Sequence, residues 1–203
     1  MDKPTRREEN RLHRLGIRRI AGVDEAGRGA WAGPLVAAAV ILPHECRIAG
    51  LRDSKQLSAK AREDVYRVIV RCAVSFAVSI IPSKKIDRWG VGRANAAALI
   101  LAVRKLGIVP DFVLVDCYNI EYGQIPSRGI VRGDASVFSI AAASVIAKVT
   151  RDRLMDRHHL KNTRYHFDQN RGYGTAAHRS SIARYGLCEQ HRRSFKPMRG
   201  TYT

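Results

Sequence analysis

The chain has 203 residues, 45% of them hydrophobic, and a formal net charge of +18. That length and apolar share suit one sizeable core, while the longest apolar runs, "PLVAAAVILP" and "ANAAALILAV", are too short to span a bilayer. The charge is uneven: residues 151–203 carry 12 Lys/Arg against 4 Asp/Glu and residues 1–20 carry 7 against 3, flanking a nearly balanced middle. A basic flank beside such a core is the footprint of a polyanion binder. No basic amphipathic helix with bulky apolar residues stands out, so nucleic acid is favoured over a membrane.

The start, "MDKPTRREENRLHRLG", lacks the apolar core of a secretory signal, and a cytosolic chain is expected. Residues 1–16 are read as a basic arm and residues 17–203 as one domain, with a basic C-terminal portion from about residue 160. Cys46, Cys72, Cys117 and Cys188 form no C-x-x-C pair and are read as free thiols.

Residues 17–24, "IRRIAGVD", read as a strand leading to Asp24 and Glu25, and residues 33–42, "GPLVAAAVIL", as a second. "LSAKAREDVYRVIVRC" reads as a helix with Ser58 as N-cap and Ala61, Val65, Val68, Ile69 and Cys72 on one face. "AVSFAVSII" is a third strand. "RANAAALILAVRKLG" is a helix with Leu99, Ile100, Val103 and Leu106 inward and Gly107 as its stop. "DFVLVD", apolar until Asp116, reads as a central buried strand. "GIVRGD" is a short strand, followed by the long helix "SVFSIAAASVIAKVTRDRLMDRHH" and a short helix near 175–185. Interleaved strands and helices imply an α/β fold, a mixed sheet with helices on its faces. Sites in such sheets gather outside the carboxyl ends of strands.

Asp24, Glu25 and Asp116 fit that rule, and Asp134 stands just before the long helix. Converging carboxylates repel one another, and a divalent cation removes the conflict. An all-oxygen donor set suits Mg²⁺ or Mn²⁺. Two such ions activate a water and stabilise the leaving oxygen of a phosphodiester, which points to a metal-dependent nuclease or polynucleotide transferase. Adjacent strand residues face opposite sides, so Asp24 and Glu25 share a site only if the strand ends or bends between them. "GRGAWAG" has the spacing G-x-G-x-x-x-G and precedes a strand, so it is not a dinucleotide fingerprint. His158, His159, His166, His178 and His191 match no zinc spacing and are read as solvated or phosphate-facing.

Five ordered stretches resemble the type 2 ribonucleases H, and bacterial ribonuclease HII in particular: "AGVDEAGRG", "LRDSKQLS", "VLVD", "RGDASVFSIAAASVIAKVTRDRLM", and "NRGYGTAAH" with "HRRSFKP". The resemblance implies a ribonuclease H-like mixed five-stranded sheet flanked by helices, with a helical C-terminal portion. It implies that Asp24, Glu25, Asp116 and Asp134 bind metal, and that the chain hydrolyses RNA in RNA–DNA hybrids and cuts at ribonucleotides embedded in duplex DNA. It assigns Gly27, Arg28 and Gly29 to sensing the ribose 2′-hydroxyl, Tyr173 to packing on the neighbouring deoxyribose, and Lys55 to a phosphate. Lys148 and Asp152 are read as supporting residues. Gly27→Val is expected to blunt the 2′-hydroxyl preference more than folding. The chain departs from the family at Cys117 and Tyr118, where glycine usually follows the strand aspartate, and at "DRWGVGRAN". A monomer is expected. The competing readings are a non-catalytic basic nucleic-acid binder and another metal nuclease of similar fold.

Overall fold

The computed structural model describes residues 3–52, 54 and 57–198. Five strands form one sheet: β1 (Ile20–Ala26), β2 (Leu35–Ile41), β3 (Ser75–Ile81), β4 (Phe112–Asp116) and β5 (Ser127–Ile130), in the order β3-β2-β1-β4-β5. β1, β2 and β3 pair antiparallel, whereas β1, β4 and β5 run parallel, giving the mixed sheet expected.

Alternation along the strands sorts the core into two layers. Ala21, Val23, Ala37, Ala39, Val113 and Val115 face the helix α4 (Val91–Arg104), meeting Leu99 and Val103. Ala38 and Val40 face the long helix α6 (Phe138–Lys161), meeting Ala142, Val145 and Ile146. The small residues of α6 let it lie close to β1: a Cβ on Gly22 would stand 2.2 Å from the Ser139 backbone. A one-turn helix, α5 (Gly133–Ser136), leads into α6.

Several expectations shift. β1 runs two residues further than its apolar run suggests, because Asp24, Glu25 and Ala26 still pair with Ala38, Ala37 and Val36 of β2. The N-terminal segment is not a loose arm. Residues 7–14 form a helix, α1 (Arg7–Arg14), whose Leu12 is buried with Ile20, Leu114 and Ile140. Its Glu9 carboxylate accepts the Ser139 N–H at 2.8 Å, placing a buried negative charge at the start of α6.

Ser58 does cap the helix α2 (Ala59–Cys72), accepting from the Ala61 N–H at 3.2 Å. Only Val65 and Ile69 of its predicted face are buried, since α2 touches α6 along a narrow stripe and leaves Val68 exposed. Gly107 is not the stop of α4. That helix ends at Arg104, and the Gly107 N–H donates to Ser75 Oγ. A short helix, α3 (Ser83–Trp89), precedes it.

Beyond α6 the chain forms α7 (Phe167–Asn170) and α8 (Ala176–Tyr185) around Met155, Tyr165, Phe167 and Ile182. The cysteines are free thiols, as expected, and Cys46 Sγ lies 2.7 Å from Cys72 Sγ. No helix among the described residues is long and apolar enough to cross a membrane.

Candidate active site

The parallel pairing of β1 with β4 stops at Val23–Val115, one residue short of Asp24 and Asp116. The two aspartates therefore leave adjacent strands at the same level and on the same, α6-facing side. Glu25 takes the other side of β1. The sequence raised this as a difficulty that required the strand to end or bend between the two acids. The strand instead stays paired to β2, and its other edge is open because the β4 ladder has ended.

Asp24, Glu25 and Asp116 line one cavity of about 220 Å³ with the Gly27–Gly29 turn and Tyr173. Ser54, Ser144 and Lys148 complete its wall. Asp134 is buried and stands off this lining. It joins the group through the backbone, since the neighbouring Gly133 N–H donates to Asp116 Oδ1 at 2.7 Å.

Asp24 is the electrostatic centre. Burial pushes its carboxyl well above the usual carboxylate range, and the negative charges of Glu25 and Asp116 push it further. The Ser144 hydroxyl and the Glu25 N–H, at 2.7 Å, hold it back in part. Ser144 in turn pairs with Ser54 at 2.9 Å. Such a site gains from a hard cation, and its oxygen-only donors suit Mg²⁺ or Mn²⁺. Among the described residues, no three Asp, Glu, His or Cys side chains converge tightly enough to clasp an ion unaided. Magnesium is usually held by one or two carboxylates completed by water and substrate phosphate, so this arrangement fits such an ion.

Lys148 donates to Asp152 at 2.5 Å, and the same carboxylate takes Arg62 at 3.1 Å. Arg62 also donates to the carbonyls of Ser54 and Leu57, each at 2.8 Å. The network bridges α6 and the loop before α2, consistent with a supporting role. Lys55 lies outside the described residues.

The glycine turn rests on two buried arginines that sequence reading missed. Arg192 donates to the carbonyls of Gly27 at 2.7 Å, Arg28 at 2.9 Å and Gly33 at 3.0 Å. Arg151 donates to Pro34 and Ala32 at 3.0 and 3.1 Å. Neither side chain is exposed. Their only sequence signals were membership of "HRRSF" and of the long helix.

Gly27 has φ +88°, and a Cβ there would lie 1.9 Å from Arg151 Nε. Gly27→Val would thus disturb the buried arginine and the fold, contrary to the expectation above. Nothing lies within 4 Å of a Cβ on Gly29, so that position isolates the turn's function. Arg28 is exposed, with its guanidinium 5.0 Å from the Tyr118 ring centre. Tyr173 is 38% exposed and its ring lies 5.3 Å from the Arg151 guanidinium. Cys117 adopts φ +60°, the left-handed shape glycine takes at low cost, so the loop after Asp116 keeps a glycine-like turn.

His166 is exposed, and His158 and His159 are half-buried. His178 and His191 are neither solvated nor phosphate-facing: both are buried and their Nε2 atoms lie 3.1 Å apart. The reading as solvated rings failed because these two meet only when α8 folds onto the segment at 188–192.

Comparison with known proteins places the geometry in a family. A ribonuclease HII of Acidothermus cellulolyticus is 51% identical over 95% of this chain, which spans 64% of that relative's length. A ribonuclease HII of Syntrophus aciditrophicus is 49% identical over 93% of this chain and 89% of its own. The crystal structure of the ribonuclease H2 from Pyrococcus horikoshii OT3 superposes with a TM-score of 0.76 at 26% identity, covering 89% of this chain and 95% of that one. The family model for ribonuclease HII matches residues 21–198, which contain the sheet from the second residue of β1 onward and each carboxylate of the cavity. The chain belongs to the ribonuclease HII family.

Proposed function

We propose that this chain is a divalent-metal-dependent endoribonuclease, a cytoplasmic monomer that hydrolyses the RNA strand of RNA–DNA hybrids. On the same reading it cuts on the 5′ side of ribonucleotides embedded in duplex DNA. One observation carries this: Asp24, Glu25 and Asp116 share a single cavity with the Gly27–Gly29 turn and Tyr173. Acids suited to metal and a backbone turn suited to a sugar thus line the same cavity.

In this reading Asp24, Glu25, Asp116 and Asp134 hold Mg²⁺ or Mn²⁺. The bound ions supply an activated water and a counter-charge for the leaving oxygen. Water adds to phosphorus, the bond from phosphorus to O3′ breaks, and that oxygen leaves as a 3′-hydroxyl after taking a proton. The phosphate stays on the 5′ side of the ribonucleotide.

Gly27, Arg28 and Gly29 meet the 2′-hydroxyl, the one group that separates RNA from DNA at a given site. Arg192 holds that turn through the Gly27 and Arg28 carbonyls, and Arg151 packs beneath Gly27. The Tyr173 ring packs on the neighbouring deoxyribose, backed by Arg151. Lys55 contacts a phosphate, and the basic surface draws the duplex in.

The test is incubation of a labelled DNA duplex carrying one ribonucleotide with the protein and Mg²⁺ or Mn²⁺. A single cut 5′ of the ribonucleotide is expected, with loss of at least about 10³-fold in Asp24→Asn. Binding without cleavage would favour the non-catalytic reading, and cutting of an all-DNA duplex would favour another nuclease.

A further inference from the structure

Three hydrogen bonds run in series through the C-terminal lobe. The Tyr173 carbonyl lies 2.9 Å from His178 Nδ1, His178 Nε2 lies 3.1 Å from His191 Nε2, and His191 Nδ1 lies 2.9 Å from the Cys188 nitrogen. Chemistry fixes both ends. A carbonyl only accepts and a backbone N–H only donates. His178 therefore carries its proton on Nδ1, and His191 carries its proton on Nε2 and donates it to His178. Both rings are neutral. An added proton on His178 would set two N–H groups face to face, and one on His191 would aim an N–H at the Cys188 N–H, with only the weakly accepting Cys188 Sγ, 3.1 Å from the same Nδ1, to receive it.

The surroundings enforce this arrangement. His178 is fully buried and His191 is 2% exposed. Phe167 stands edge-on to His178 at 5.5 Å, and Tyr165 to His191 at 4.9 Å. Burial lowers the basicity of both rings.

The series joins two elements of the cavity. At one end it holds the backbone of Tyr173, whose carbonyl otherwise accepts only the Thr175 N–H among the described bonds. At the other end His191 bridges Ala32, and the next residue, Arg192, holds the carbonyls of Gly27 and Arg28. We propose that His178 and His191 are positioning residues: as a locked neutral pair they set Tyr173 at a fixed height relative to the glycine turn, so that both meet the two sugars of one RNA–DNA junction. This rests on the reading of Tyr173 as a sugar contact. Contacts of this kind must be held to within about 0.5 Å to be productive.

Isosteric amides separate positioning from packing. Asparagine places its amide N–H where Nδ1–H was and has no tautomer for His191 to fix, so His178→Asn keeps the bond to the Tyr173 carbonyl without its partner. Glutamine places its oxygen where Nε2 was, so His178→Gln keeps the bond to His191 and drops Tyr173. Cleavage of the single-ribonucleotide DNA duplex is measured in Mg²⁺ at a temperature where thermal melts show each variant folded. His178→Gln is expected to lower kcat/KM about tenfold, and His178→Asn about threefold or less. In a Tyr173→Ala background the loss from His178→Gln should vanish. Equal losses in the two single variants would mean packing and overturn the proposal, as would an undiminished loss in the Tyr173→Ala background. If Tyr173→Ala alone leaves cleavage unchanged, the sugar-contact reading itself has failed, and the proposal fails with it.

Discussion

Two buried charges, Asp24 lining the cavity and Arg192 behind its glycine turn, are treated in opposite ways. Arg192 enters the protein with its donors spent on three backbone carbonyls, and burial still pulls its pKa down to about 9. Asp24 enters with two carboxylates near it, a hydroxyl and its neighbour's N–H, and burial pushes it the other way. The first charge is satisfied by the fold and shapes the glycine turn. The second is left in conflict, which a bound cation would relieve. The contrast teaches that burial alone does not mark a functional charge. What marks it is whether the fold supplies the partner.

The comparison can be broken most forcefully at Arg192. Lysine keeps the charge but cannot reach three carbonyls. Arg192→Lys is expected to cost about 3 kcal/mol of stability and to weaken discrimination for the 2′-hydroxyl. A thermal melt unchanged from the parent would show that the turn holds itself.

A second measurement concerns the neutral histidines beside Arg192. His191 is pulled down to about 4 by burial, with the neighbouring His178 adding to it. Between that value and the ordinary histidine pKa of about 6.5 the unfolded chain binds the proton and the folded chain does not. Stability from this group is therefore full above about pH 6.5 and falls as pH drops toward 4. The melting temperature should decline across that window, and less so in His191→Gln. An equal decline in both proteins would assign the acid sensitivity elsewhere.

The smallest effect is expected at Asp24, and its sign is the informative part. With no divalent ion, Asp24→Asn should raise stability by about 1 kcal/mol, because burial and like charges no longer oppose the side chain. Adding Mg²⁺ or Mn²⁺ should then raise the melting temperature of the parent more than that of the variant. A parent that gains nothing from either ion would sink the metal reading without any activity assay.

Much of the sheet was legible because its strands are short apolar runs bounded by Gly, Pro and charge. "DFVLVD" could hardly be anything else, and it became the buried parallel strand β4. The N-terminal helix was not legible. "TRREENRLHRLG" is mostly charged, and its one firmly buried apolar residue, Leu12, gains its value only from a pocket built by Ile20, Leu114 and Ile140. Asp24, Glu25 and Asp116 were found by their position at strand ends and Asp134 by its place before the long helix, and the family resemblance picked out the same four. Their difference in placement was hidden, because whether Asp134 lines the cavity depends on how one turn of α5 sits against β4.

Local pattern in the chain determined the alternation of strand and helix, the cap at Ser58, and which acids and glycines are candidates for chemistry. These depend on neighbours within a few residues, so the chain spells them out. Tertiary structure alone decided that Arg192 grips Gly27, that Arg151 forbids a side chain there, and that His178 and His191 share one proton line. Those contacts join residues up to 165 positions apart. A buried donor's partner is set by which backbone atoms the packed core leaves unpaired, and no local pattern encodes that.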